Sequence, residues 1–206
     1  MNADGFDDVV TGVSFANVES TDTRAGFAYI LFGPFVGEEG LADADGIWKD
    51  EAEGDAGRVV AADDVTGDGV SDVIVGAWRS SAYQIQGGAF MSWKDPPHAS
   101  MTWATLAPAF TPMWMFFSEA VVPSAEAGDK ERFGFATSGT DVDGDGFSDL
   151  LVGAPWVERF GAYAGAVYVF YGPVSGSLDT KDAGAWWYGD DVWFSGWVDV
   201  VAGVGL

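Results

Sequence analysis

The sequence predicts an all-β chain, a β-propeller of about three four-stranded blades that is partial or a fragment of a larger one. Three observations lead there. The 206 residues include 29 glycines, and glycine costs about 1 kcal/mol inside a helix while tight turns use its positive φ freely. Short runs such as 149–153 and 167–171 are rich in β-branched and aromatic residues and bounded by Gly or Pro, as strands are. An acidic nine-residue motif recurs with the same flanking elements, and a long repeat unit carrying four strands is the signature of a propeller blade.

The repeat fixes the order of elements. Its sharpest copy is Asp141-Val-Asp-Gly-Asp-Gly-Phe-Ser-Asp149, followed by Leu150-Leu-Val-Gly-Ala-Pro155. A second copy runs Asp64-Val-Thr-Gly-Asp-Gly-Val-Ser-Asp72 and continues Val73-Ile-Val-Gly-Ala77. The start of the chain fits the same frame without its opening position, so that Asn2, Asp4, Gly5 and Asp8 fall on positions three, five, six and nine. Upstream of each complete copy lies a short apolar run, at 57–61 and 133–137, and a third such run at 196–202 stands near the end of the chain. Downstream, Ala25-Gly-Phe-Ala-Tyr-Ile-Leu-Phe-Gly-Pro34 resembles Ala164-Gly-Ala-Val-Tyr-Val-Phe-Tyr-Gly-Pro173, with a weaker copy at 87–91. Each unit therefore reads as strand, acidic hairpin loop, then three strands, the last being the least marked. The repeats fall at 1–55, 56–125 and 126–195 of a single propeller region, and 196–206 supplies the first strand of a further or closing blade. That closing strand would complete the sheet begun at 8–12. Near-continuous apolar character, in place of clean alternation, predicts sheets covered on both faces. The stretch 96–123 has no counterpart in the other repeats, and the run 113–117 within it reads as a buried or degraded fourth strand.

Composition excludes several classes of function. Nine Lys and Arg against 32 Asp and Glu give a net charge of −23, which repels phosphate backbones and anionic lipid surfaces. Nucleic acid is not an expected partner. The absence of cysteine removes disulfides, thiolate nucleophiles and zinc ribbons, and the lone His98 leaves no imidazole cluster. The longest apolar passage, 104–117, is broken by Pro108 and Pro112, whereas a spanning helix needs roughly 20 apolar residues. No membrane insertion is expected, and residues 1–8 carry neither the basic start nor the apolar stretch of a signal peptide.

The acidic loop is a set of hard oxygen ligands. Asp or Asn at positions one, three and five points oxygens inward from alternate residues. Gly at six turns the backbone so that the carbonyl of position seven faces the same point, and position nine adds a carboxylate. Such a set suits Ca²⁺, which takes six to eight oxygens in irregular geometry. The predicted ligands are Asp141, Asp143, Asp145, Phe147 (through its carbonyl) and Asp149 in the third loop. In the second they are Asp64, Thr66, Asp68, Val70 (carbonyl) and Asp72; in the first, Asn2, Asp4, Phe6 (carbonyl) and Asp8. Thr66 is a neutral and weaker ligand, and Met1 occupies position two of the first loop, leaving no first ligand there. An EF-hand is excluded because position twelve, which would need Glu, is Val152, Val75 or Thr11. A lone Asp-Gly pair is ordinarily a hairpin turn; three copies in register argue for ligands.

These residues resemble the FG-GAP repeat of integrin α-subunit propellers and of many bacterial surface and secreted proteins. The naming elements stand here as Phe133-Gly134 and Gly153-Ala154-Pro155 around the acidic loop, with Gly76-Ala77-Trp78 in the second copy. The resemblance implies a β-propeller with Ca²⁺ in the hairpins between a blade's first and second strands, acting in adhesion or ligand binding outside the cell or at its surface. Integrin propellers have seven blades; the strands here suffice for about three, so missing blades or oligomerisation would be needed to cover the exposed blade faces. The leading expectation is a calcium-binding, non-enzymatic segment with a protein or glycan ligand. The alternatives are a secreted carbohydrate-binding propeller, for which Trp156, Trp186 and Trp187 are the residues to test, and an ancillary domain of a larger extracellular enzyme. Most of the acidic residues lie outside the three loops, a surplus consistent with an extracellular, saline setting.

Overall fold

Short apolar strands, too short to fold alone and apolar on both faces, are driven into sheets that stack on one another. A computed structural model describes residues 2–17, 24–38, 40–49, 57–77, 89–93, 100–102, 114–117, 134, 136–159, 162–175, 178 and 180–189. Among them the regular elements are strands and two single-turn 3-10 segments. The protein is all-β, and its described residues form three four-stranded sheets and a small two-stranded hairpin. No helix among the described residues is long and apolar enough to cross a membrane.

The first sheet contains β1 (Val9–Asn17), β2 (Arg24–Leu31) and β3 (Gly46–Lys49) in antiparallel order, with β7 (Ser100–Thr102) added parallel to β3. The second has the order β4 (Val59–Asp63), β5 (Asp72–Ala77), β6 (Ala89–Trp93) and β8 (Trp114–Phe117), antiparallel throughout. The third repeats that plan with β9 (Ala136–Thr140), β10 (Asp149–Ala154), β13 (Ala166–Phe170) and β14 (Ala185–Tyr188). Between its second and third strands a two-residue pairing joins β11 (Glu158–Arg159) to β12 (Ala162–Tyr163).

Three features depart from a plain repeat. The chain leaves the second sheet after β6, pairs with the first sheet as β7, and returns to the second as β8. The run ending at Phe117 is thus the fourth strand of the second sheet, and the stretch without counterpart stitches two sheets together. Secondly, within the apolar runs expected at 57–61 and 133–137, Gly57 and Gly134 stand in turns, with φ of +73° and +83°, and the described strands begin at Val59 and Ala136. The expected run at 196–202 lies outside the described residues. In the first sheet, β1 is an end strand of the sheet order, whereas its counterparts β5 and β10 are interior.

In the third sheet the interior strand β10 is covered on both faces, every one of its residues being buried, whereas the end strand β14 leaves Trp186 and Trp187 exposed. Leu150, Val152 and Ala154 line one face with Ala166, Tyr168 and Phe170, and Val65 and Ile74 from the second sheet's hairpin close over them. Close stacking depends on glycine. A Cβ on Gly12 would strike the Gly57 carbonyl, and one on Gly76 the Gly134 carbonyl. The two pairs are alike: a glycine of the strand that follows the acidic loop, β1 or β5, receives the turn glycine that leads into the next sheet. Gly134 N–H in turn donates to Gly153 O (3.1 Å) within its own sheet.

Candidate metal centre

The acidic loops occupy the hairpins between the first and second strands of two sheets, 64–72 between β4 and β5 and 141–149 between β9 and β10. Residues 2–8 lead directly into β1. Position six is glycine with φ of +94°, +89° and +94° in Gly5, Gly69 and Gly146, which L side chains rarely adopt. Position four has positive φ as well, in Gly67, Gly144 and, at +58°, Ala3, the one non-glycine so placed among the described residues.

The side chains accept recurring hydrogen bonds from the loop amides, position one from the amide of position six in both complete loops and from position four or five besides. At position one, Asp141 accepts from Gly144 N (2.6 Å) and Gly146 N (3.0 Å), and Asp64 from Asp68 N (3.0 Å) and Gly69 N (2.7 Å). Position three accepts from the amide of position five: Asp143 from Asp145 N (3.1 Å) and Asn2 from Asp4 N (3.2 Å). Position five accepts from the amide of position seven, each at 2.9 Å: Asp145 from Phe147, Asp68 from Val70, and Asp4 from Phe6. These Asx-type turns wind the backbone around one side, where the carboxylates collect.

In the third loop the carboxylates of Asp141, Asp143 and Asp149 converge, one oxygen of each lying within 4.8 Å of the others. Among the described residues this is the group of three acids so placed. Asp145 stands outside it. The donors are hard oxygens, two on exposed residues and one, Asp149, fully buried, and such a group can hold a divalent ion. In the second loop Thr66 donates both its N–H (2.9 Å) and its hydroxyl (3.4 Å) to Asp72, so its side chain is turned to the position-nine carboxylate.

Position nine has a second task that spacing alone did not reveal. Asp149 accepts from Val142 N (2.7 Å) and, across the sheet, from Gly172 N (2.8 Å). Asp8 does the same with Asn2 N (3.2 Å) and Gly33 N (3.1 Å). Gly172 and Gly33 are the glycines of the repeated Gly-Pro pairs that end β13 and follow β2, and a Cβ on either would press on the carbonyl of loop position eight, Ser148 or Asp7. The recurring Gly-Pro was the available signal: its register with the loop marks a contact as well as a turn.

Burial raises the Asp72 pKa from 3.8 to about 6, against the lowering effect of the Thr66 hydrogen bonds, with the charges of Asp68 and Asp64 adding to the rise. The folded state thus disfavours ionised Asp72. Its contribution to stability is present below about pH 4 and is lost as pH rises through about 6. With chelator present, Asp72→Asn is expected to melt higher than the parent at pH 7.5 and to lose that advantage at pH 4. The difference is at most about 3 kcal/mol, from roughly 1.4 kcal/mol per pKa unit. Parallel thermal melts at the two pH values check it; an advantage independent of pH would refute the assignment.

A strand, an acidic oxygen-rich hairpin, a buried second strand and a third strand tied back to the hairpin define an acidic-loop β-sheet repeat. Residues 133–170, which span β9 to β13, match the FG-GAP repeat family model. The chain carries an FG-GAP repeat in that segment.

Proposed function

We propose that this chain is a calcium-stabilised, non-enzymatic β-propeller segment that serves adhesion or protein interaction outside the cell or at its surface. The observation that carries the reading is the convergence of Asp141, Asp143 and Asp149 inside a segment matching the FG-GAP repeat. In it the three four-stranded sheets are three blades stacked face on face. Asp141 and Asp143 hold the ion from the loop side and Asp149 from the strand side, while the Asx turns of Asp143 and Asp145 fix the backbone between them. When bound, Ca²⁺ supplies positive charge that offsets the mutual repulsion of the carboxylates.

Removing the metal tests this directly. With a dissociation constant of about 10⁻⁴ to 10⁻³ M and about 1 mM Ca²⁺, mass action stabilises each filled site by roughly 0.4 to 1.4 kcal/mol. For a chain of this size that is about 1 to 6 °C per site. EDTA added to calcium-loaded protein is expected to lower Tm by this amount and Mg²⁺ to restore less of it than Ca²⁺. An unchanged Tm would sink the calcium reading.

One observation favours a glycan ligand as the second reading. Trp186 and Trp187, on the end strand β14, are 52% and 60% exposed, and exposed indoles offer stacking faces to sugars. Trp156 is less suited, since it is partly buried with its ring 5.8 Å from that of Tyr163. Binding on a glycan array that is lost in Trp186→Ala or Trp187→Ala would move the assignment to a carbohydrate-binding propeller.

A further inference from the structure

The two complete acidic loops are in contact with each other. Val65, position two of the second loop, is fully buried in the core of the third sheet, and its carbonyl accepts from Val174 N (2.8 Å). Gly67, at position four, rests on the third loop's neighbourhood: a Cβ there would lie 2.9 Å from Pro173 and 3.0 Å from the Phe147 ring. In the other direction, Ser148 of the third loop donates its hydroxyl to Asp63 (2.6 Å), the residue immediately before Asp64. Asp63 also accepts from Asp64 N (2.8 Å).

These contacts close a circuit. Phe147 and Ser148, which hold the second loop, lie next to Asp149. Asp149 anchors Gly172, and Gly172 leads into Pro173 and Val174, which touch the second loop again. Ordering either loop therefore orders part of the other, and a second ligand that binds an already ordered site meets a smaller entropic cost.

We propose that the loops at 64–72 and 141–149 bind divalent cations with positive cooperativity, transmitted by Phe147 and Ser148 acting as positioning residues against Gly67 and Asp63. This rests on the calcium reading above. Coupling between sites commonly amounts to 5- to 150-fold, and a contact of this size places the expected value at about fivefold or more.

The test is calorimetric titration of Ca²⁺ into the full metal-free chain, with Asp4→Asn present throughout to silence the first loop. Asp64→Asn/Asp68→Asn leaves only the third loop, and Asp141→Asn/Asp143→Asn only the second. These are exposed or partly exposed positions where the amide retains an acceptor, and near-UV circular dichroism in chelator verifies the fold. The two-ion binding constant of the parent is expected to exceed the product of the two single-loop constants about fivefold or more. Phe147→Ala/Ser148→Ala, which leaves every carboxylate and the position-seven carbonyl in place, should bring that ratio to within about twofold of one. A ratio near one in the parent overturns the coupling while leaving calcium binding intact. An unaltered ratio in Phe147→Ala/Ser148→Ala overturns these residues as its carriers, and absence of binding in the parent and in both single-loop variants overturns the calcium reading together with the coupling.

Discussion

Gly76→Ala is expected to destabilise the protein by about 3 kcal/mol or more, although it adds a single methyl group. The methyl would enter the space taken by the Gly134 carbonyl, a backbone atom that no rotamer change can move. Relief requires the second and third sheets to separate, exposing part of the core that Ile74 and Val65 form with Leu150 and Val152. For a chain of this length the loss corresponds to about 6 to 12 °C in Tm. Two comparisons isolate the cause. Gly146 has φ of +94° with open space where a Cβ would stand, so Gly146→Ala meets backbone strain alone, about 1 to 2 kcal/mol. Gly57 combines φ of +73° with a collision against the Phe27 carbonyl, and Gly57→Ala should cost more than either. Thermal or urea melts rank the three; Gly76→Ala no worse than Gly146→Ala would show that the sheets are not in fixed close contact.

The same glycines show what was legible in the sequence. Spacing alone found the loops, because alternate acids and a positive-φ glycine are demands of local geometry, met in register by Gly5, Gly69 and Gly146. It found β10 and β13 because these two interior strands are buried, β10 throughout and β13 but for the half-buried Val167, which leaves nearly unbroken apolar runs. The glycines at 76 and 134 were visible as recurring motif letters, but their reason is a contact between neighbouring sheets, and nothing within one repeat encodes it. The parallel strand β7 was invisible for a similar cause: three residues carry no periodicity, and its partner β3 lies far away in the chain. The single-turn segments Leu41–Asp43 and Thr180–Asp182 precede β3 and β14. They were missed although both end on Asp43-Ala44 or Asp182-Ala183 shortly before a glycine.

The second large effect separates two roles of one carboxylate. Asp149→Ala is expected to cost about 2 to 4 kcal/mol even with chelator present, because it empties a fully buried position and removes the acceptor of both Val142 N and Gly172 N in part-buried hydrogen bonds. Each stranded amide carries a desolvation cost of about 1 to 3 kcal/mol, and the loop loses its tie to the Gly-Pro turn that ends β13. Asp143→Ala is the contrasting variant. Its side chain is exposed and accepts one bond, from Asp145 N, so in chelator it should melt within about 0.5 kcal/mol of the parent. In 1 mM Ca²⁺ it should fail to gain the stabilisation that the parent's third loop gains. Asp149→Ala, in comparison, should be displaced downward under both conditions and respond to calcium no better than Asp143→Ala. Melts of the three proteins with and without EDTA decide the matter. If Asp149→Ala matches the parent in EDTA, the buried carboxylate acts as a ligand alone. If it still gains stability from calcium as the parent does, the ion is held by the exposed acids without it. The expected pattern, a structural loss in one variant and a purely calcium-dependent loss in the other, assigns position nine to both the sheet and the ion, and explains why the repeat buries an acid where an apolar strand begins.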